Sequence, residues 1–114
     1  ALTVSITGKG FDEGEWNSSN VIKYAIKNKT NKTIDALKVS FKIYDKLGDE
    51  IGDGYQMSIT DDKIAPNQVY SNESYYDYNQ FMDTDIKIRN SKFEDLKFVI
   101  KVIKVVYTDG SVLE

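Results

Sequence analysis

The side chains of this chain that could do chemistry are carboxylates and tyrosines. Cysteine and histidine are both absent. That removes the thiolate nucleophile, the disulfide framework, the usual zinc ligands and the commonest general base. Three kinds of chemistry remain: calcium ligation, carboxylate acid–base work, and recognition by aromatic surface. For the first, Asp45, Asp49 and Asp53 recur at regular spacing, Asp61-Asp62 form a pair, and Asp83 and Asp85 lie close together. A calcium ion needs several oxygens converging at short range, and the D-x-D-x-D-G pattern of an EF-hand is missing. Aspartate is also a common turn former. These acids are therefore expected to be solvated turn residues, with no metal and no cofactor. For the second, Glu73 and Asp77 sit beside tyrosines, but glycoside chemistry needs one acid with a raised pKa and nothing around either residue singles it out. There is no nucleophile elbow, phosphate loop or metalloprotease helix. The expectation is a protein that is not an enzyme.

The third kind is the best represented. Tyr70, Tyr75, Tyr76 and Tyr78, with Phe81 nearby, are the densest aromatic cluster, and Trp16 stands apart in another segment. Exposed Tyr and Trp rings give contact area at low entropic cost. Trp16, Tyr75, Tyr76 and Tyr78 are thus the candidate binding surface. The competing reading is structural, because tyrosine is a favoured strand residue and alternate rings of a strand are buried.

The elements that would position these residues are strands. Leu37, Val39, Phe41 and Ile43 alternate with Lys38, Ser40, Lys42 and Tyr44. Successive side chains of a strand point to opposite faces, so one face meets a core and the other meets water. Read as a helix, the same apolar residues would scatter around the axis. Strand 34–45 leads into Lys46-Leu47-Gly48-Asp49, where Gly48 supplies a positive φ for the turn. The return strand, 50–57, is interrupted by Gly52 and Gly54, which points to a bulge or to a crossing between sheets.

Similar alternation gives strands at 2–7 and 20–28, separated by a polar loop, 11–20. Asn28–Thr33 reads as an Asn-rich turn. Pro66 occupies the first corner of a turn that leads into a tyrosine-rich strand, 69–78. Segment 79–95 reads as irregular, with room for a short helical turn. In Lys97–Tyr107, Leu96, Phe98, Ile100 and Val102 share one face, whereas Ile103, Val105 and Tyr107 share the other. A bulge near Val102-Ile103 would restore the register, and a strand buried on both faces would explain the run equally. Thr108-Asp109-Gly110-Ser111 signals a hairpin before a short last strand. About seven strands with short turns and no amphipathic helix predict an all-β, antiparallel β-sandwich of immunoglobulin-like type.

The 114 residues suit one domain, 1–114, able to bury a core without a metal or disulfide staple. The formal net charge is −3, and lysines and acids are interspersed along the chain. No basic footprint of a nucleic-acid binder is visible in that pattern. No apolar run is long enough to span a membrane. Asn17, Asn28, Asn31 and Asn72 each open an Asn-x-Ser/Thr string, a pattern that turns favour anyway. Both ends read as cut edges: a signal peptide or lipid anchor would precede Ala1, and Leu113-Glu114 reads either as a vector scar before an affinity tag or as native sequence.

Phe41-Lys42-Ile43-Tyr44-Asp45 resembles the signature of the FxLYD domain family, with Ile43 in the position of Leu. The Asn-rich turn before it, Ile51-Gly52 after it, the Ile64-Ala65-Pro66-Asn67 loop and the Tyr107-Thr108-Asp109-Gly110 ending resemble the family's surroundings, over roughly Val21 to Gly110. Asn67 stands where the family has Gly, and both residues tolerate positive φ. The resemblance implies an immunoglobulin-like domain of bacterial and archaeal surface proteins, often lipoproteins, with no established enzymatic role to carry over. The signature residues would be structural: Phe41 in the core, Tyr44 at a sheet rim, Asp45 accepting backbone N–H groups of the following turn.

The functional expectation is a non-catalytic, extracellular structural or protein-interaction module of a bacterial surface protein or lipoprotein, monomeric. It would use strand edges or the 79–95 segment as its contact surface. A carbohydrate-binding module, in which Trp16 and the Tyr75–Tyr78 cluster grip a cell-wall glycan, is the alternative.

Overall fold

The computed structural model describes residues 2–14, 17–79 and 81–113. The chain runs β1 (Leu2–Glu13), β2 (Ser18–Asn28), β3 (Ile34–Tyr44), β4 (Glu50–Ile59), β5 (Val69–Asp77), α1 (Asp83–Asn90), a 3₁₀ turn (Phe93–Asp95), β6 (Lys97–Tyr107) and β7 (Val112–Leu113). The strands form two sheets, ordered β1-β2-β5 and β4-β3-β6-β7, and every pairing is antiparallel. Three strands packed on four in this order make the immunoglobulin-like β-sandwich that two-residue periodicity predicts.

β3 is the central strand of the larger sheet, paired with β4 on one side and β6 on the other. Leu37, Val39, Phe41 and Ile43 are each no more than 3% exposed. They join Ile22, Tyr24 and Ile26 of β2 in one core cluster. Phe41 anchors the aromatic end of that core. Its ring stacks on Tyr55 at 5.5 Å and meets Tyr76 and Phe98, each at 6.1 Å.

The phase shift in β6 is a bulge, not burial on both faces. Lys38 faces Lys104 and Val39 faces Val102, so Ile103 is the extra residue. Beyond it Val105 and Tyr107 return to the core. Gly52 and Gly54 likewise mark a bulge: Phe41 faces Tyr55 and Ile43 faces Ile51, so Lys42 spans three residues of β4. Gly52 has φ +79°, and a Cβ there would lie 2.9 Å from the Tyr55 hydroxyl oxygen.

Two expectations are corrected. β1 does not stop at Gly8. Its register shifts between Ile6 and Gly8, and pairing with β2 continues to Glu13. The strand outlasts its apolar alternation because backbone hydrogen bonding does not require apolar side chains. Segment 79–95 holds a true α-helix as well as the 3₁₀ turn. That helix is short, and Ile88 is its buried residue. A single buried contact leaves almost no apolar periodicity to read.

The turns use their polar side chains as expected. Asn67 has φ +64°, and Gln68 N–H donates to Ala65 O at 3.0 Å, closing the proline turn. Asp45 Oδ1 accepts the backbone N–H of Leu47 at 2.9 Å and of Asp49 at 3.0 Å. Its other oxygen accepts Lys87 Nζ from α1 at 2.6 Å. The Lys87 hydrogen bond, then the Asp49 N–H, holds the Asp45 carboxyl below its ordinary range. Because the folded pKa is depressed, the stabilisation is present above the ordinary carboxylate pKa and lost as the pH falls through the folded value. Asp45→Ala should lower the melting temperature by a few degrees at neutral pH, and the gap to wild type should close below about pH 4. Thermal melts of both proteins across the acid range check this; coincident melts at neutral pH refute it.

Candidate functional site

The register shift in β1 has a functional consequence. Leu2, Val4 and Ile6 pack against the core. After the extra residue, Thr7, the inward positions become Lys9 and Phe11, facing Ile22 and Asn20 of β2. Phe11 therefore stands at one open end of the sandwich. Tyr78, just past β5, is held there by its backbone N–H, which donates to Ser18 O at 2.9 Å. The two rings meet edge to face, 4.9 Å apart.

α1 lies across this end. Asn20, itself buried, donates from Nδ2 to Asp85 O at 3.1 Å, and Lys9 Nζ donates to Arg89 O at 3.1 Å. Burial lowers the pKa of the Lys9 ammonium. The Asp85 carboxylate accepts Asn79 N–H at 3.0 Å, and Asn79 Oδ1 accepts Phe81 N–H at 2.9 Å, which shapes the approach to the helix. Asn20 Oδ1 is buried without a hydrogen-bond partner among the described residues.

Arg89 completes the site. Its guanidinium lies 3.8 Å from the Phe11 ring centroid and 5.4 Å from that of Tyr78, and reaches Glu13 Oε1 at 3.8 Å. Phe11, Glu13, Tyr78, Asn79, Phe81 and Arg89 line an open cleft of about 510 Å³. Phe81 is 84% exposed and its neighbour Met82 is 51% exposed. A guanidinium stacked on a ring keeps donors pointing outward in a fixed plane. With two exposed apolar side chains beside it, the cleft can recognise a carbonyl or carboxylate next to an apolar group.

The tyrosines do not form one platform. Tyr75 is 57% exposed on the outer face of β5, where its hydroxyl donates to Glu73 Oε2 at 3.0 Å. Tyr76 points the other way, packs against the core, and donates to Gln56 O at 3.2 Å. Its ring meets Tyr55 at 5.3 Å, and burial raises its phenol pKa. Tyr78 alone of the cluster lines the cleft. Trp16 lies outside the described residues. Tyr24 is a core residue, its phenol pushed up to about 12 by burial and by the neighbouring Tyr70. Arg89 and Phe11 were missed by sequence reasoning because they lie far apart in the chain, on elements whose extent was misjudged.

The acids are dispersed. Asp62 Oδ2 accepts the Tyr70 hydroxyl at 2.7 Å, Asp85 braces Asn79, and Asp45 closes its turn. Glu73 lies cross-strand from Lys23, and Asp77 from Ser19. Among the described residues, no three carboxylates converge as a metal would require. No described helix is long and apolar enough to cross a membrane.

No family model matches the chain, and no curated protein matches it in sequence. Solved structures do resemble it. A hypothetical protein from Peptoclostridium difficile 630 superposes with a TM-score of 0.53 at 12% identity, over 99% of this chain and 85% of that one. Northeast Structural Genomics Consortium target SoR45 gives a TM-score of 0.45 at 11% identity, over 99% of this chain and 76% of its own. At 12% identity the first likeness shows the fold, a β-sandwich shared along nearly the whole chain.

Proposed function

We propose that this protein is a non-catalytic interaction module that holds a protein partner at the α1 end of its sandwich. The observation that carries the reading is Phe81, 84% exposed at the rim of a cleft where Arg89 is already stacked on Phe11. Aromatic and arginine side chains of this kind dominate binding energy at protein interfaces. A rigid sandwich presenting contact residues from one end is a common use of the architecture. The FxLYD-like motifs support a place outside the cytoplasm, on a bacterial surface protein or lipoprotein. A glycan-binding role would have to rest on Tyr75 and Tyr78 separately, because the rings of Tyr75 and Tyr76 lie on opposite faces of β5.

Phe81→Ser tests the reading without disturbing the fold, since the side chain is outside the core. A protein captured from a cell-surface extract by the wild type should be retained at least about tenfold less by this variant and by Arg89→Ala, with melting temperatures unchanged for Phe81→Ser. Equal retention by all three proteins refutes it. Binding to a glycan array that vanishes on Tyr75→Ala or Tyr78→Ala would favour the carbohydrate reading instead.

A further inference from the structure

Lysines and acids alternate along the sequence, but the fold separates them on one surface. The inward residues of β3 and β6 leave Lys38, Ser40, Lys42 and Tyr44 facing outward beside Lys104, Lys101, Val99 and Lys97, their direct cross-strand partners. All five of these lysines are exposed. They are a third of the chain's 15 basic residues, gathered on one sheet face of a protein whose net charge is −3. The ion pairs among the described residues engage Lys32, Lys63, Lys87 and Arg89, and none of the five. Two acids lie along the β4 side of this face: Glu50, opposite Tyr44 at its end, and Asp53, in the β4 bulge beside Ser40 and Lys42; neither lies among the β6 lysines.

The bulge at Ile103 completes the arrangement. Without an extra residue there, Lys104 would point inward and Val105 outward. With it, Lys104 lies directly opposite Lys38. Like charges facing each other across a strand pair are destabilising. A face that served only solubility would be relieved by an acid at either position.

We infer that the outer face of the four-stranded sheet binds a linear phosphate polymer through Lys38, Lys42, Lys97, Lys101 and Lys104. The shape favours a chain. The lysines occupy two neighbouring strands, a ribbon about 20 Å long and roughly 5 Å between strand axes, which is narrow for a lipid surface. The residue type favours phosphate. Lysine binds phosphate as a point charge, whereas planar carboxylates are matched by the arginine fork, and no arginine lies on this face. The ring on the face is Tyr44, at its end, so no row of aromatic side chains is available to stack successive bases of a nucleic acid. This surface is distinct from the Phe81 cleft, and its test is independent of that reading.

The probe is long-chain inorganic polyphosphate, titrated at several salt concentrations. Wild-type affinity should fall with a log–log slope of about −3, on the order of a hundredfold between roughly 50 and 200 mM salt. The double variant Lys101→Glu/Lys104→Glu should bind at least about tenfold more weakly, with a shallower slope. It should not melt lower, because Lys104→Glu replaces a like-charge pair with an opposite one. The charge-matched variant Lys23→Glu/Lys27→Glu, on the other sheet, should keep affinity within about twofold. Equal losses in the two variants would overturn the inference. So would no binding by the wild type, or tighter binding to single-stranded DNA, polyglutamate or phosphatidylglycerol vesicles than to polyphosphate.

Discussion

Phe41→Ala should destabilise the protein by about 4 kcal/mol and lower its melting temperature by roughly 15 °C. Phe41 is 1% exposed and its ring is surrounded by Tyr55, Tyr76 and Phe98. Truncation removes the transfer energy of the ring and leaves a cavity that those three rings cannot close together, because they are anchored on three different strands. The loss of aromatic contacts adds to the area term. Phe41→Leu keeps most of the apolar volume and should cost about half as much. Urea unfolding of the three proteins measures this directly. A penalty for Phe41→Ala below about 1.5 kcal/mol would mean that the two sheets do not meet on this ring.

The second large effect is polar. Asn28 is fully buried at the end of β2. Its Nδ2 donates to Lys32 O at 2.7 Å and to Ile64 O at 3.0 Å, and its Oδ1 accepts the Thr30 N–H at 3.0 Å and the Thr30 hydroxyl at 2.6 Å. Its backbone N–H and C=O bond Gln68 and Asn67. One side chain thus joins the β2–β3 turn to the proline loop before β5. Asn28→Ala removes four side-chain hydrogen bonds and orphans the Thr30 N–H, although Ile64 O keeps the Ile34 N–H and Lys32 O keeps the Thr30 hydroxyl, at an expected cost of about 3 kcal/mol. Asn28→Asp should be worse near neutral pH, despite matching the shape, because both carbonyls would then face an anion. Its penalty should shrink as the pH falls, since a protonated carboxyl regains one donor. Chemical denaturation at neutral and acid pH distinguishes these outcomes, and an Asn28→Asp protein as stable as wild type would show that the network carries no stability. The same burial leaves the glycosylation string at Asn28 without an accessible acceptor.

How legible each part was depends on the range of the interaction that makes it. The inward face of β3 could be read from Leu37, Val39, Phe41 and Ile43, because alternation is a property of the strand itself. Turn positions at Gly48 and Asn67 were equally legible, because a positive φ is tolerated by few residue types. The extension of β1 past Gly8 was not legible, since its hydrogen bonds are supplied by β2 and leave no mark on residues 8–13. The extent of α1, beyond the short helical turn that segment 79–95 allowed, was not legible for a related reason. The helix is held by Asn20, Lys9 and Asp45, all remote in sequence. The aromatic cluster was legible as a set of residues and as two competing readings, patch or alternately buried strand; Tyr75 and Tyr76, adjacent in the chain, face opposite ways on β5.

From the amino-acid order alone came the two-layer β class, the strands that carry its core, and the turns that punctuate them, because each rests on contacts within a few residues. Tertiary pairing alone decided which side chains meet. It brought Phe11, Tyr78 and Arg89 to one cleft, and it sorted an evenly mixed set of charges into a lysine face. Register is the physical reason: a single extra residue in β1 or β6 turns every later side chain to the other side of its sheet.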